Sequence, residues 1–149
     1  MKHSTKEQIN AYYDTWIFSN SIYDRWAKKH HISSNSLFTL WVIYNTPGNC
    51  SQQLICEKLQ LPKQTVNAIL NSLEHAGYIE RISCATDKRS KNIVFTKTGL
   101  KYAGSILKDL YEFEESAFLK MDEPELSFMF ELYKKLLYHL NDILESQDL

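Results

Sequence analysis

The stretch from Pro62 to Gly99 constrains this chain more than any other. After Pro62 come Lys63, Gln64 and Thr65, and then Val66, Ile69, Leu70 and Leu73 at steps of three, four and seven, the single apolar face of a short buried helix over 62–76. The opposite face carries Gln64, Asn67, Ala68 and Asn71, where a merely solvated helix more often carries Lys and Glu. Amides both donate and accept hydrogen bonds, so such a face suits base edges in a DNA major groove. Gly77 ends the helix as a C′ residue. Tyr78-Ile79-Glu80-Arg81-Ile82-Ser83-Cys84 then reads as a strand and 92–96 as its partner, with three cations and one acid in the hairpin tip 85–91.

A helix, a turn and a charged hairpin make a winged helix-turn-helix when two shorter helices precede them. The pattern supplies both. Asn35 or Ser36 is placed to cap a helix through Leu37, Leu40, Trp41, Ile43 and Tyr44, which Thr46-Pro47-Gly48-Asn49 stops as a turn. Ser51 caps the next, Gln52 to Leu59, with Leu54, Ile55 and Leu59 inward. Pro62 suits the first turn of the helix that follows, where its missing N–H costs no bond. Helix N-termini at Ser51 and Pro62 can each receive a phosphate oxygen.

Long helices flank this unit. Residues 6–30 repeat Ile9, Tyr13, Trp16, Ile17, Tyr23, Trp26 and Ala27 at helical spacing, and Tyr12, Phe18 and Ile22 widen the stripe. A thick core helix would account for that width, and so would a dimer interface or a wall for an apolar effector. Beyond Gly99, Leu100, Ala103, Leu107, Leu110, Tyr111, Ala117, Phe118 and Met121 continue a helical repeat, broken at Asp122-Glu123-Pro124. A last helix runs from about Glu123 to Leu144 with a broad apolar face. These C-terminal helices must cover each other, the first helix or a second copy of the chain.

Leu73-Glu74-His75-Ala76-Gly77-Tyr78-Ile79-Glu80-Arg81, then Asp87-x-Arg89, then Thr96-x-x-Gly99, resembles the signature of the MarR family of bacterial transcription regulators. The resemblance implies a mainly α fold with a small β-hairpin wing: an N-terminal dimerisation helix (1–34), a winged helix-turn-helix DNA-binding domain (35–99) and C-terminal dimerisation helices (100–149). It further implies a homodimer on a pseudo-palindromic operator in double-stranded DNA, acting as a repressor that a small apolar or aromatic effector releases. The expected DNA contacts are Ser51, Lys63, Gln64, Thr65, Asn67, Asn71 and Arg81, with Asp87, Lys88, Arg89 and Lys91 in the wing. By spacing alone Asp87 and Arg89 could be a solvated charged turn. The resemblance implies that Arg89 enters a minor groove while Asp87 holds its guanidinium. Ala68 and Ser72 stand where the family often has basic residues, which shifts weight to the amides, Lys63 and the wing. The effector is expected against Tyr13, Trp16, Ile17, Tyr23 and Trp41.

Charge supports a polarised molecule although the net is −1. Residues 61–101 hold seven cations against three anions, and 102–149 hold four against eleven. A basic middle suits phosphates and an acidic end does not. No apolar run approaches the roughly 20 residues of a membrane span and the N-terminus has no secretory h-region, so a cytoplasmic protein without membrane contact is expected.

Cys50, Cys56 and Cys84 lack metal or disulfide spacing. Cys56 reads as a small core residue, while Cys50 and Cys84 leave open a thiol-responsive regulator of the same fold. His3, His30, His31, His75 and His139 make no metal motif, although His30-His31 with a carboxylate would give a metal-responsive variant. No cofactor, metal or catalytic residue is expected, and an enzyme is not supported. A winged helix used only for protein association, without DNA binding, is the other class the pattern permits.

Overall fold

The computed structural model describes residues 4–83 and 91–147. Its elements are α1 (Thr5–Lys29), α2 (Ser34–Asn45), α3 (Gln52–Leu59), α4 (Lys63–His75), β1 (Ile79–Ser83), β2 (Lys91–Phe95), α5 (Lys97–Phe118) and α6 (Glu123–Gln147). They group into two compact units, one reaching Leu107 and one beginning at Lys108, with α5 contributing to both. Among the described residues no helix is long and apolar enough to cross a membrane.

In the first unit, a capping box opens α1: Glu7 N–H donates to Ser4 Oγ, and Ser4 N–H donates to Glu7 Oε2. Only the far end of α1 is buried, at Trp26 and Ala27. There the helix meets α2, with the Tyr23 and Phe38 rings 5.5 Å apart. Ser33, not Asn35 or Ser36, caps α2, its Oγ accepting from Ser36 N–H at 3.1 Å. The helix can start there because His31, at φ 57°, turns the chain sharply after α1.

Ser51 caps α3 as its sequence suggests, accepting from Leu54 N–H at 3.1 Å. Gln60 closes that helix in the left-handed region. Pro62 stands one step earlier than expected, as the N-cap residue of α4. It offers no side-chain cap, but its carbonyl takes the Val66 N–H. Val66, Leu70 and Leu73 of α4 pack inward with Leu37, Leu40, Val42, Ile43, Ile55, Ile79 and Ile93, forming the core.

β1 and β2 pair antiparallel from Ile79↔Phe95 to Ser83↔Lys91. The hairpin is fastened to the α2–α3 connection twice: Ile93 N–H donates to the Cys50 carbonyl at 2.8 Å, and Asn92 Nδ2 to the Gly48 carbonyl at 2.6 Å. Its base is tied by Thr96, whose Oγ1 donates to the Gly77 carbonyl and accepts from Gly99 N–H. Gly99 is buried against the Tyr78 carbonyl, with no room for a side chain. The Tyr78 and Tyr102 rings stack 4.1 Å apart across the same junction.

In the second unit, Asp122 and Glu125 form a second reciprocal cap, opening α6. The Phe118 and Phe130 rings stack at 6.2 Å. No residue of α6 is buried, although Phe128, Met129, Phe130, Leu136, Leu137, Leu140 and Ile143 lie along it.

Candidate nucleic-acid interface

The candidate surface is the outer face of α4, presented because its inner face is consumed by the core. Lys63, Gln64, Asn67, Ala68 and Asn71 are exposed and Thr65 is half-buried. Gln52 of α3 donates to the Lys63 carbonyl at 3.2 Å, joining the start of α4 to its predecessor. The Ser51 hydroxyl oxygen accepts as a cap, which leaves its O–H and the N-terminal N–H groups of α3 as donors that can hold an anion.

Arg81 of β1 does not stand free. Its Nη2 donates to Asn71 Oδ1 at 2.6 Å and its Nη1 to Asn67 Oδ1 at 3.3 Å. Its Nε lies 3.4 Å from Glu74 Oε2, close enough for an ion pair but not aligned as a hydrogen bond. Asn67, Asn71 and Glu74 follow at i, i+4 and i+7, so one stripe of α4 receives the whole guanidinium. The side chain of Arg81 is only 17% exposed. Glu74 is the member of this cluster that pattern reasoning missed. Its stripe spacing is visible in the sequence, but the approach of β1 to that stripe is not.

Lys91 is exposed at the start of β2. Asp87, Lys88 and Arg89, expected at the wing tip, lie outside the described residues, as does Cys84. The two remaining thiols exchange the roles expected of them. Cys50 is fully buried and Cys56 only half-buried. Burial pushes the Cys50 thiol above its ordinary 9.0, opposed by a Thr46 hydrogen bond and the charge of Lys58. A buried, protonated thiol is a poor nucleophile, which disfavours Cys50 as an oxidant sensor.

The aromatic set on α1 and α2 faces outward. Tyr13, Trp16, Ile17 and Trp41 are each exposed, Trp16 by 54%. Tyr23 is half-buried against Phe38. None of these five lines the cavity of about 560 Å³ in the second unit, formed by Tyr111, Glu114, Glu115, Phe118, Leu119, Met121, Glu123 and Leu126. His30 stacks on Trp26 at 3.7 Å, with Nδ1 3.0 Å from the Trp26 carbonyl. Among the described residues no three His, Cys, Asp or Glu side chains come together as a metal site.

Comparison with known proteins agrees with this geometry. A family model described as MarR family matches residues 32–90. The HTH-type transcriptional regulator PrsX of Escherichia coli is 31% identical over 116 residues, which cover 75% of this chain and 68% of that protein. The E. coli HTH-type transcriptional regulator PapX is 37% identical over 92 residues, covering 60% of this chain and 54% of its own. Among solved structures, a MarR family regulator from Neisseria meningitidis superposes with a TM-score of 0.78 at 23% identity, covering 97% of this chain and 99% of that one. The S. aureus MepR–DNA complex gives 0.71 at 23% identity, covering 93% and 99%. At these identities the superpositions speak to the fold.

Proposed function

This chain belongs to the MarR family of transcription regulators, and from that premise we propose that it works as a cytoplasmic homodimer that binds a pseudo-palindromic operator in double-stranded DNA and represses transcription. Each protomer would set α4 in a major groove and the hairpin in the flanking minor groove, with half-sites about one helical turn apart. One observation carries the reading: the exposed face of α4 is built of amides and Lys63, held outward by an inner face of Val66, Leu70 and Leu73. That MepR has been solved on DNA supports the same use of the shared fold.

The homodimer is supported by surface that a lone chain leaves wet. Along α6 nothing is buried, and Ile9, Tyr13, Trp16, Ile17 and Phe18 of α1 are all exposed. Apolar area of that extent is the mark of an association surface. A small apolar or aromatic effector, bound against Tyr13, Trp16, Ile17, Tyr23 and Trp41, would favour a dimer with misspaced recognition helices and release the DNA. A differential affinity of about 1–3 kcal/mol is enough to change occupancy about 5- to 150-fold.

Footprinting of the purified chain on the DNA flanking its own coding region tests the proposal. Two protected patches about one turn apart are expected, with affinity falling steeply as salt rises. A chain that stays monomeric and protects no site, or binds with no salt dependence, overturns it.

A further inference from the structure

We infer that Arg81 is a positioning residue that turns the amides of Asn67 and Asn71 so that α4 reads hydrogen-bond acceptors on the base edges, an inference that rests on the DNA-binding reading above. A guanidinium has five N–H donors and no acceptor. Any asparagine that meets it must therefore present its oxygen, and both do, Asn71 at 2.6 Å and Asn67 at 3.3 Å. The assignment of oxygen and nitrogen in these two amides follows from the chemistry of their partner. On each exposed asparagine the other arm of the planar amide is the NH2 group. The recognition helix thus carries two donor groups one turn apart.

The consequence is a base preference. In the major groove guanine offers N7 and O6, adenine N7 and thymine O4 as acceptors, whereas cytosine offers only its N4 donor. Cytosine is disfavoured opposite Asn67 and Asn71. Adenine also loses its usual advantage with asparagine, because the bidentate pair needs the amide oxygen for the adenine N6–H. Here Arg81 takes one lone pair of that oxygen and turns it toward β1, away from the N6–H it would have to meet. Arg81 in turn is drawn into the seam between α4 and β1, with Glu74 beside its Nε, so it adds little of its own charge to the DNA-facing surface.

The full chain, Arg81→Met and Asn71→Asp are each bound to a pool of duplexes randomised over about two helical turns, and the bound fraction is sequenced. Affinity for one selected duplex is then followed against salt. The wild-type protein is expected to exclude cytosine at two positions per half-site. In Arg81→Met that exclusion relaxes, adenine gains on guanine, and the salt slope stays unchanged. Asn71→Asp keeps an oxygen toward Arg81, and with it the melting temperature, but replaces the donor by an acceptor. At one position per half-site its preference moves to cytosine, and affinity for the wild-type site falls about 5- to 150-fold.

If Arg81→Met instead weakens all sequences equally and lowers the salt slope by about one, Arg81 is a phosphate contact and the inference is overturned. Should Arg81→Met fail to fold, Asn71→Asp decides alone, and an unchanged preference at every position overturns it. A wild-type chain that binds no DNA removes the functional reading itself, an outcome distinct from a wild type that binds while its variants read the same bases.

Discussion

A Cβ on Gly99 would sit 1.7 Å from the carbonyl oxygen of Tyr78. That oxygen is fixed, since it accepts the Thr96 N–H at 3.0 Å where the hairpin ends and α5 begins. The spacing Thr96-x-x-Gly99 is therefore a packing requirement: the threonine caps α5, and the glycine lets the helix lie against the turn that closes α4.

Gly99→Ala should lower stability by about 1–3 kcal/mol or more, because backbone must move to admit the methyl. Gly104, in the same helix, has nothing within 4 Å of a Cβ. Gly104→Ala should raise stability by about 0.4–1 kcal/mol through the unfolded chain. Urea midpoints of the two variants check the contrast, and equal shifts would refute the packing argument.

Ser51→Ala should cost about 0.5–2 kcal/mol and Ser51→Gly only a few tenths, since the hydroxyl serves α3 as its cap. If DNA affinity, measured well below the melting temperature, stays at the wild-type value in both, any phosphate at this helix start is held by backbone N–H groups. A loss common to both variants would assign that contact to the hydroxyl.

At neutral pH Cys50 should alkylate far more slowly than Cys56, as peptide mapping after iodoacetamide can show, with denaturant removing the difference. The pH dependence has a definite sign. The folded thiol has its pKa raised by burial, so the unfolded chain releases its proton first. Stability is thus held below about the ordinary 9.0 and lost as pH rises toward the folded value. Tyr102, raised from 10.0 by burial and by Tyr78, acts in the same direction at higher pH. Cys50→Ala should flatten the decline that begins near pH 9, and an unchanged slope would show that the thiol is not the group responsible.

Leu136→Glu or Leu140→Glu should weaken self-association by about thirtyfold or more if α6 is the seam between copies. Both side chains are exposed in one protomer, so neither change should unfold the winged unit. Sedimentation equilibrium decides it, and two variants with wild-type dissociation constants would place the seam elsewhere.

Much of this molecule is legible in local pattern. Ser51, Pro62 and Gly77 bracket α3 and α4 within a residue or so, because caps and turns are chemistry between near neighbours. The Ser4–Glu7 box that opens α1 belongs to the same class and was equally available. Cysteine burial was not. Cys56 follows Ile55, but one step along a helix turns the side chain by about 100°. Cys50 is buried where the α2–α3 connection meets β2, its carbonyl taking a hydrogen bond from Ile93, far along the chain. For the same reason Arg81 reads from sequence as one more cation for phosphate. Only the approach of β1 to α4 reveals that Asn67, Asn71 and Glu74 surround it.

The hairpin is bolted to its surroundings at Cys50, Gly48 and Gly77, and the Arg81 cluster bolts it to α4 as well. Strands β1 and β2, joined to α4 and its surroundings at so many points, resist shifting against the rod to accommodate a poor sequence. In the proposed dimer, latitude toward imperfect targets would come from moving whole reading heads apart or together. Changes in the gap between half-sites should be forgiven more readily than changes within either one.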